Sequence, residues 1–157
     1  MTPEDRALFE AAEKVRARAY VPYSRFHVGA AILADDGQIY AGCNVENVAY
    51  PLGNCAEASA IAAMIAGGGK RIIRIVITGP GRDPVMPCGG CRQRIREFAD
   101  ADTPVICLGV DGEPLATTIG ALLPHSFGPE FRGHSPEVHL AKAPSPGLRP
   151  TSPPRER

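Results

Sequence analysis

Two short segments, Cys55-Ala56-Glu57 and Pro87-Cys88-Gly89-Gly90-Cys91, constrain this chain more than any other feature. Each reads as the start of a helix. Together they supply three thiols and one carboxylate. Three thiolates can hold one zinc ion and leave its fourth position to water, whereas a closed structural site needs a fourth protein ligand. A carboxylate two residues from a ligand can move protons on and off that water. Any fold that serves both segments must therefore bring two helix N-termini together.

The spacing sets the geometry to expect. Cys88 and Cys91 are three apart, which puts them on one face of a helix start. Cys55 and Glu57 are two apart and would diverge inside a regular helix. The residue that opens a helix is not yet fully helical, so both can be aimed at one ion. With Zn–S near 2.3 Å, a shared ion requires the Cys55 and Cys88 sulfurs to lie within about 5 Å. Zinc with three thiolates carries a formal charge of −1. Two helix N-termini, each equivalent to about half a positive charge, offset it and favour the thiolate form. Arg92 is the side chain expected to add hydrogen bonds to the sulfurs.

Taken alone, Cys-x-x-Cys also fits a redox pair or half of a structural zinc site. Cys43 and Cys107 lie in strand-like apolar runs and read as buried thiols. His27, His125, His134 and His139 have no ligand-like spacing.

Around these segments the chain reads as one domain. Thr2-Pro3-Glu4-Asp5 is a helix start, with an N-cap, a proline at the first turn and two acids. Leu8, Ala12, Val15 and Ala19 form its apolar stripe. Phe26 to Leu33 and Gln38 to Cys43 read as a hairpin around Asp35-Asp36-Gly37. Asn44 to Asn54 is a loop. A helix from Cys55 to about Ala66 is apolar nearly all round, as in a helix buried on several sides. Arg74 to Thr78 is a strand, Cys91 to about Phe98 a helix, and Val105 to Gly109 with Glu113 to Thr117 a second strand pair. Thr118 to Leu123 is a short helical piece. The order α-β-β-α-β-α-β-β predicts an α/β domain with one mixed sheet and helices on its faces. From Gly133 to Arg157 the chain turns rich in proline and poor in apolar residues, which predicts a disordered tail after a domain spanning 1–132.

Composition excludes several functions. Seventeen basic residues balance seventeen acidic ones, so nothing suggests a nucleic-acid partner. No apolar run reaches the roughly 18 residues of a membrane span. The acidic, soon helical N-terminus lacks a secretory pattern. Five cysteines form no disulfide framework, which suits a reducing cytoplasm.

With both cysteine segments in place, the chain resembles the zinc-dependent nucleoside and nucleobase deaminases, a class that includes three-cysteine sites with a non-ligand glutamate. Phe26-His27-Val28-Gly29-Ala30-Ala31, Gly42-Cys43-Asn44-Val45-Glu46-Asn47, Tyr50-Pro51, Pro87 to Gln93 and Leu122 to Phe127 narrow the resemblance to small cytidine deaminases. These matches keep the family's order over about residues 5–130. The resemblance implies a cytidine-deaminase-like fold, with a mixed five-stranded sheet and helices on both faces. It implies one zinc per subunit, held by Cys55, Cys88 and Cys91, with Glu57 as proton shuttle. Asn44 and Glu46 would hold the ribose hydroxyls, Phe26 would pack on the pyrimidine, and the Ala56 backbone with the Glu57 carboxylate would read the ring's polar edge. Tyr50 and Phe127 would reach between subunits of a homotetramer. The implied activity is hydrolytic deamination of cytidine and 2′-deoxycytidine in pyrimidine salvage. A deaminase of a modified cytosine nucleoside or nucleoside antibiotic is the near alternative, and a non-catalytic zinc-stabilised binding module the distant one. Many family members carry arginine directly after the glutamate, where this chain has Ala58, so the sulfur charge must be balanced otherwise.

Overall fold

A computed structural model describes residues 1–132. The proline-rich tail expected over 133–157 lies outside the described residues. Helix α1 (Pro3–Arg16) opens as its sequence dictates. The Thr2 hydroxyl accepts from the Asp5 amide at 3.1 Å, and the Asp5 carboxylate accepts from the Thr2 amide at 2.8 Å. This reciprocal cap satisfies two amides that the first turn leaves unpaired.

Five strands follow: β1 (Gly29–Ala34), β2 (Ile39–Cys43), β3 (Ile72–Gly79), β4 (Pro104–Gly109) and β5 (Leu115–Thr118). They form one sheet in the order β2-β1-β3-β4-β5. The β3–β4 pair is parallel and the other pairs are antiparallel. Helix α2 (Ala56–Gly67) lies between β2 and β3 in the chain, and α3 (Gly89–Phe98) makes the crossover from β3 to β4. A last helical turn, α4 (Ile119–Leu122), follows β5.

Strand alternation sorts the core into two layers. Ala31, Val76, Ile106 and Leu108 face α1, where Leu8 and Ala12 cover them. Ala30, Ile32, Ile75, Ile77, Val105 and Cys107 face the other way, against Ala56, Ala60, Ile61 and Met64 of α2 and Ile95 of α3. Helices therefore cover both faces, as expected. Two glycines set how closely they approach. A β-carbon on Gly29 would lie 2.1 Å from the Ala12 carbonyl oxygen of α1, and one on Gly42 would lie 2.3 Å from the Ala60 amide nitrogen of α2. The hairpin backbone is thus pressed against a helix on each side.

Two element starts and the burial of one helix differ from the sequence reading for physical reasons. The first strand begins at Gly29 and not Phe26. The Phe26 carbonyl and the Val28 amide bond to the Asn44 side chain, which takes them out of the ladder. Helix α3 begins at Gly89, two residues before Cys91, because Cys88 serves as its N-cap. Helix α2 is covered on one side only. Ala56, Ala60, Ile61 and Met64 are buried, whereas Ala62, Ile65 and Ala66 are exposed. No helix among the described residues is long and apolar enough to cross a membrane.

Candidate metal centre and active site

Cys55 is the N-cap of α2 and Cys88 the N-cap of α3, both with extended backbone and neither with a side-chain capping hydrogen bond. An ordinary N-cap is a serine, threonine or aspartate whose oxygen accepts a helix amide. Here the cap position is given to sulfur. The Cys55 and Cys88 sulfurs lie 3.9 Å apart. With Cys91 they form a group whose sulfurs all lie within 4.8 Å of one another. A tetrahedral zinc with bonds of about 2.3 Å sets its sulfurs about 3.8 Å apart. The donor set therefore fits zinc by softness, number and spacing.

Glu57 sits one turn-start inside α2 and is 4% exposed. Its Oε2 accepts from the Cys91 thiol at 3.4 Å. Burial pushes the Glu57 carboxyl above its usual range; its own backbone amide, the Cys91 thiol and the charge of Arg94 act in the opposite direction. Its contact with a cluster sulfur places the carboxyl to give and accept a proton beside the metal site.

Cys55 and Cys91 shift each other in opposite directions. A hydrogen bond from Cys91 is the largest influence on Cys55 and brings that thiol down to about 6. Cys91 is raised, chiefly by the same bond to Cys55 and then by burial. One sulfur thus ionises first, ready for a metal. Cys107 is fully buried and pushed up to about 12 by desolvation, an inert core thiol as expected. Cys43, at the end of β2, is half-buried.

The loop before α2 is locked by short backbone bonds. Tyr20 and Asn54 flank Val45 in isolated bridges, and the Glu46 amide donates to the Tyr20 carbonyl at 2.8 Å. This brings residues 44–46 beside the approach to Cys55. The Asn44 side chain accepts from the Val28 amide at 2.9 Å and donates to the Phe26 carbonyl at 2.8 Å. The Glu46 carboxylate accepts from the Tyr23 amide at 2.9 Å and the Ser24 amide at 3.2 Å. The Ser24 hydroxyl does most to hold the Glu46 carboxyl below its usual range, and the Tyr23 and Ser24 amides add to it. Between the two anchors Arg25 adopts a left-handed backbone, φ 57°.

A groove of about 340 Å³ is lined by Tyr23, Ser24, Glu46, Asn47, Tyr50 and Gly53. Of the residues expected to meet substrate, Glu46 and Tyr50 share this wall. Phe26 and Asn44 belong to the adjoining segment that Asn44 fixes. Phe127 stands apart, stacked on Phe131 with ring centroids 5.5 Å apart, and its carbonyl accepts from Gln93 of α3. Tyr23 and Ser24 lie in the turn that follows α1. Their proline-tyrosine-serine turn signalled a loop, but nothing in it signalled that Glu46 would anchor there.

One expectation about the sulfur charge needs correcting. Arg92 donates to the Pro87 carbonyl through Nε and to the Leu122 carbonyl through Nη1, both at 2.9 Å. Its guanidinium braces the loop before Cys88 against α4 and makes no bond to a ligand sulfur.

A thiolate metal site between two helix starts, with a buried carboxylate against one ligand, defines a zinc-dependent deaminase on this sheet. The chain belongs to the cytidine and deoxycytidylate deaminase family: residues 2–107 match the model of its zinc-binding region. It is 42% identical over 130 residues to a cytidine deaminase of Sporosarcina psychrophila, covering 83% of this chain and 96% of the relative. The solved cytidine deaminase of Burkholderia pseudomallei superposes with a TM-score of 0.75 at 41% identity, over 81% of this chain and all of that one. That of Mycobacterium tuberculosis gives 0.70 at 38% identity, over 81% of this chain and 99% of that one.

Proposed function

We propose that residues 1–132 form a domain that hydrolyses the 4-amino group of cytidine and 2′-deoxycytidine, giving uridine or 2′-deoxyuridine and ammonia. The observation that carries this reading is the placement of buried Glu57 against Cys91, with three clustered sulfurs and no fourth protein sulfur, imidazole or carboxylate in the group among the described residues. Cys55, Cys88 and Cys91 hold the zinc, one per subunit. Bound zinc supplies Lewis acidity, which makes water nucleophilic at neutral pH.

The rest of the work falls to side chains of this chain. Glu57 removes a proton from the attacking water and delivers it to ring N3, which makes C4 more electrophilic. It then takes the second proton from the hydroxyl added at C4 and gives it to the departing amino group, which leaves as ammonia as the C4 carbonyl forms, so one carboxyl acts as base and acid. The Ala56 amide, at the first position of α2, reads the polar edge of the ring. Phe26, 45% exposed at the surface, packs on the pyrimidine. Asn44 and Glu46 hold the ribose hydroxyls. Each is half-buried and already fixed by backbone bonds, so its remaining polar valence is pre-aimed. A site built this way favours nucleosides over free cytosine, because an empty sugar clamp leaves polar groups unpaired.

The working form in this reading is a homotetramer. Tyr50, 74% exposed, and Phe127, 57% exposed, reach neighbouring subunits, and the uncovered Ala62-Ile65-Ala66 side of α2 packs on another copy. Large apolar exposure of this kind marks interaction surfaces. The protein works in the cytoplasm on small nucleosides, in pyrimidine salvage, with no nucleic-acid partner.

The decisive experiment follows absorbance as zinc-loaded protein is mixed with cytidine. Conversion of the cytosine chromophore to uracil is the expected result. Absence of conversion with zinc confirmed bound would overturn it and direct the search to modified cytosine nucleosides.

A further inference from the structure

Helix α3 carries three arginines, and they are not equivalent. Arg92 is spent on the carbonyls of Pro87 and Leu122. Arg96 is spent on the Ser126 hydroxyl, the Ala99 carbonyl and the Glu130 carboxylate. Arg94 has no hydrogen-bond or ion-pair partner among the described residues, yet it does not extend away from the helix. Its Nη1 lies 3.3 Å from where a β-carbon on Gly90 would stand. The side chain has folded back one turn, over the glycine between Cys88 and Cys91.

Electrostatics makes that position informative. It is the N-terminal end of α3, where the helix dipole is positive and cations are disfavoured. The first turn of α3 contains no acidic residue to compensate. The negative charge available there is that of the ligand cluster and Glu57. The guanidinium thus lies over the Cys88-Gly89-Gly90-Cys91 segment, which carries two of the three ligand sulfurs. Ala58, which follows Glu57, brings no charge to the cluster, and Arg92 is turned elsewhere.

We propose that Arg94 is a positioning residue for the metal centre, supplying through space the positive charge that balances the zinc-thiolate cluster. Arg94 is exposed, so its contribution is that of a solvent-screened charge and depends on ionic strength.

The test measures zinc affinity by chelator competition, on full-length protein without nucleoside, at low salt and at about 1 M salt, where the screening length falls to about 3 Å. Wild type is compared with Arg94→Gln and Arg94→Lys, and circular dichroism verifies the fold of each. Arg94→Gln should weaken zinc binding roughly two- to fivefold at low salt, the range of an exposed charge pair. Arg94→Lys should recover most of the loss, and high salt should erase the difference. Wild-type affinity in Arg94→Gln, or an equal loss in both variants that salt does not change, would overturn the proposal. The inference rests on the zinc site and not on the nucleoside. Failure of the proposed activity shows separately, as zinc-loaded wild type that leaves cytidine unchanged.

Discussion

The Cys55 and Cys88 sulfurs lie 3.9 Å apart, and each belongs to the residue that caps a different helix. The two helix starts therefore meet at the sulfur cluster. Their dipoles both present a positive end to the sulfurs, which favours thiolates and offsets the charge of a three-thiolate zinc. The cost is that neither helix has a conventional cap, so the metal centre and the helix starts depend on each other. Chelation should lower the melting temperature of the protein, and added zinc should restore it. A melting temperature indifferent to chelation would show that the helix starts are stable without the ion.

Glu57→Gln preserves shape and removes proton transfer. Turnover of cytidine should fall by roughly 10²- to 10⁴-fold, while zinc content, measured by atomic emission, stays near one per subunit. A variant with wild-type rate would rule out Glu57 as the shuttle.

Asn44→Ala removes the partner of both the Val28 amide and the Phe26 carbonyl. Leaving such groups unpaired costs about 1–3 kcal/mol. KM for cytidine should rise about tenfold or more, with a smaller change in kcat, because the 23–28 segment and the sugar clamp loosen together. Steady-state kinetics with matched zinc content distinguishes this from metal loss.

Gly42→Val places a side chain where the Ala60 amide nitrogen stands 2.3 Å from the β-carbon position. The neighbour is helix backbone and cannot step aside, so β2 and α2 must separate. The expected loss is about 1–3 kcal/mol, read as a lower midpoint in urea, with weaker zinc binding because α2 carries Cys55.

Asp5 gives a pH signature away from the metal. Burial pushes its carboxyl up, but the Thr2 backbone and hydroxyl and the Arg74 guanidinium outweigh this, and its pKa is lowered. A depressed folded pKa contributes stability above the ordinary aspartate value of about 3.9, which is lost as pH falls through the folded pKa. Asp5→Asn should therefore melt below wild type at pH 7, and the gap should close in acid. A gap that persists unchanged at pH 2 would show that the loss is one of packing.

The parts legible in the sequence share one property: they are local. The Thr2-to-Asp5 cap, the Asp35-Asp36-Gly37 turn and the two cysteine segments each carry their instruction within a few residues. What the sequence could not show depends on distant chain returning. Glu46 reads as a surface residue until its carboxylate is found on the amides of Tyr23 and Ser24. Arg92 sits beside a zinc ligand in sequence, and only the position of Leu122 shows where its guanidinium is used. The all-apolar character of α2 was plain, but whether its far side meets the same chain or another is decided by where the sheet ends.

The separation of Cys55 from Cys88 carries one more consequence. With the two ligands 33 positions apart in the chain, zinc closes a large loop that contains α2 and β3. A covalent cross-link over such a loop removes roughly 3–4 kcal/mol of unfolded-state freedom. None of the five cysteines forms a disulfide, so the ion is the chain's cross-link. Unlike a disulfide it survives a reducing solution, and it opens to a chelator without any change of redox state.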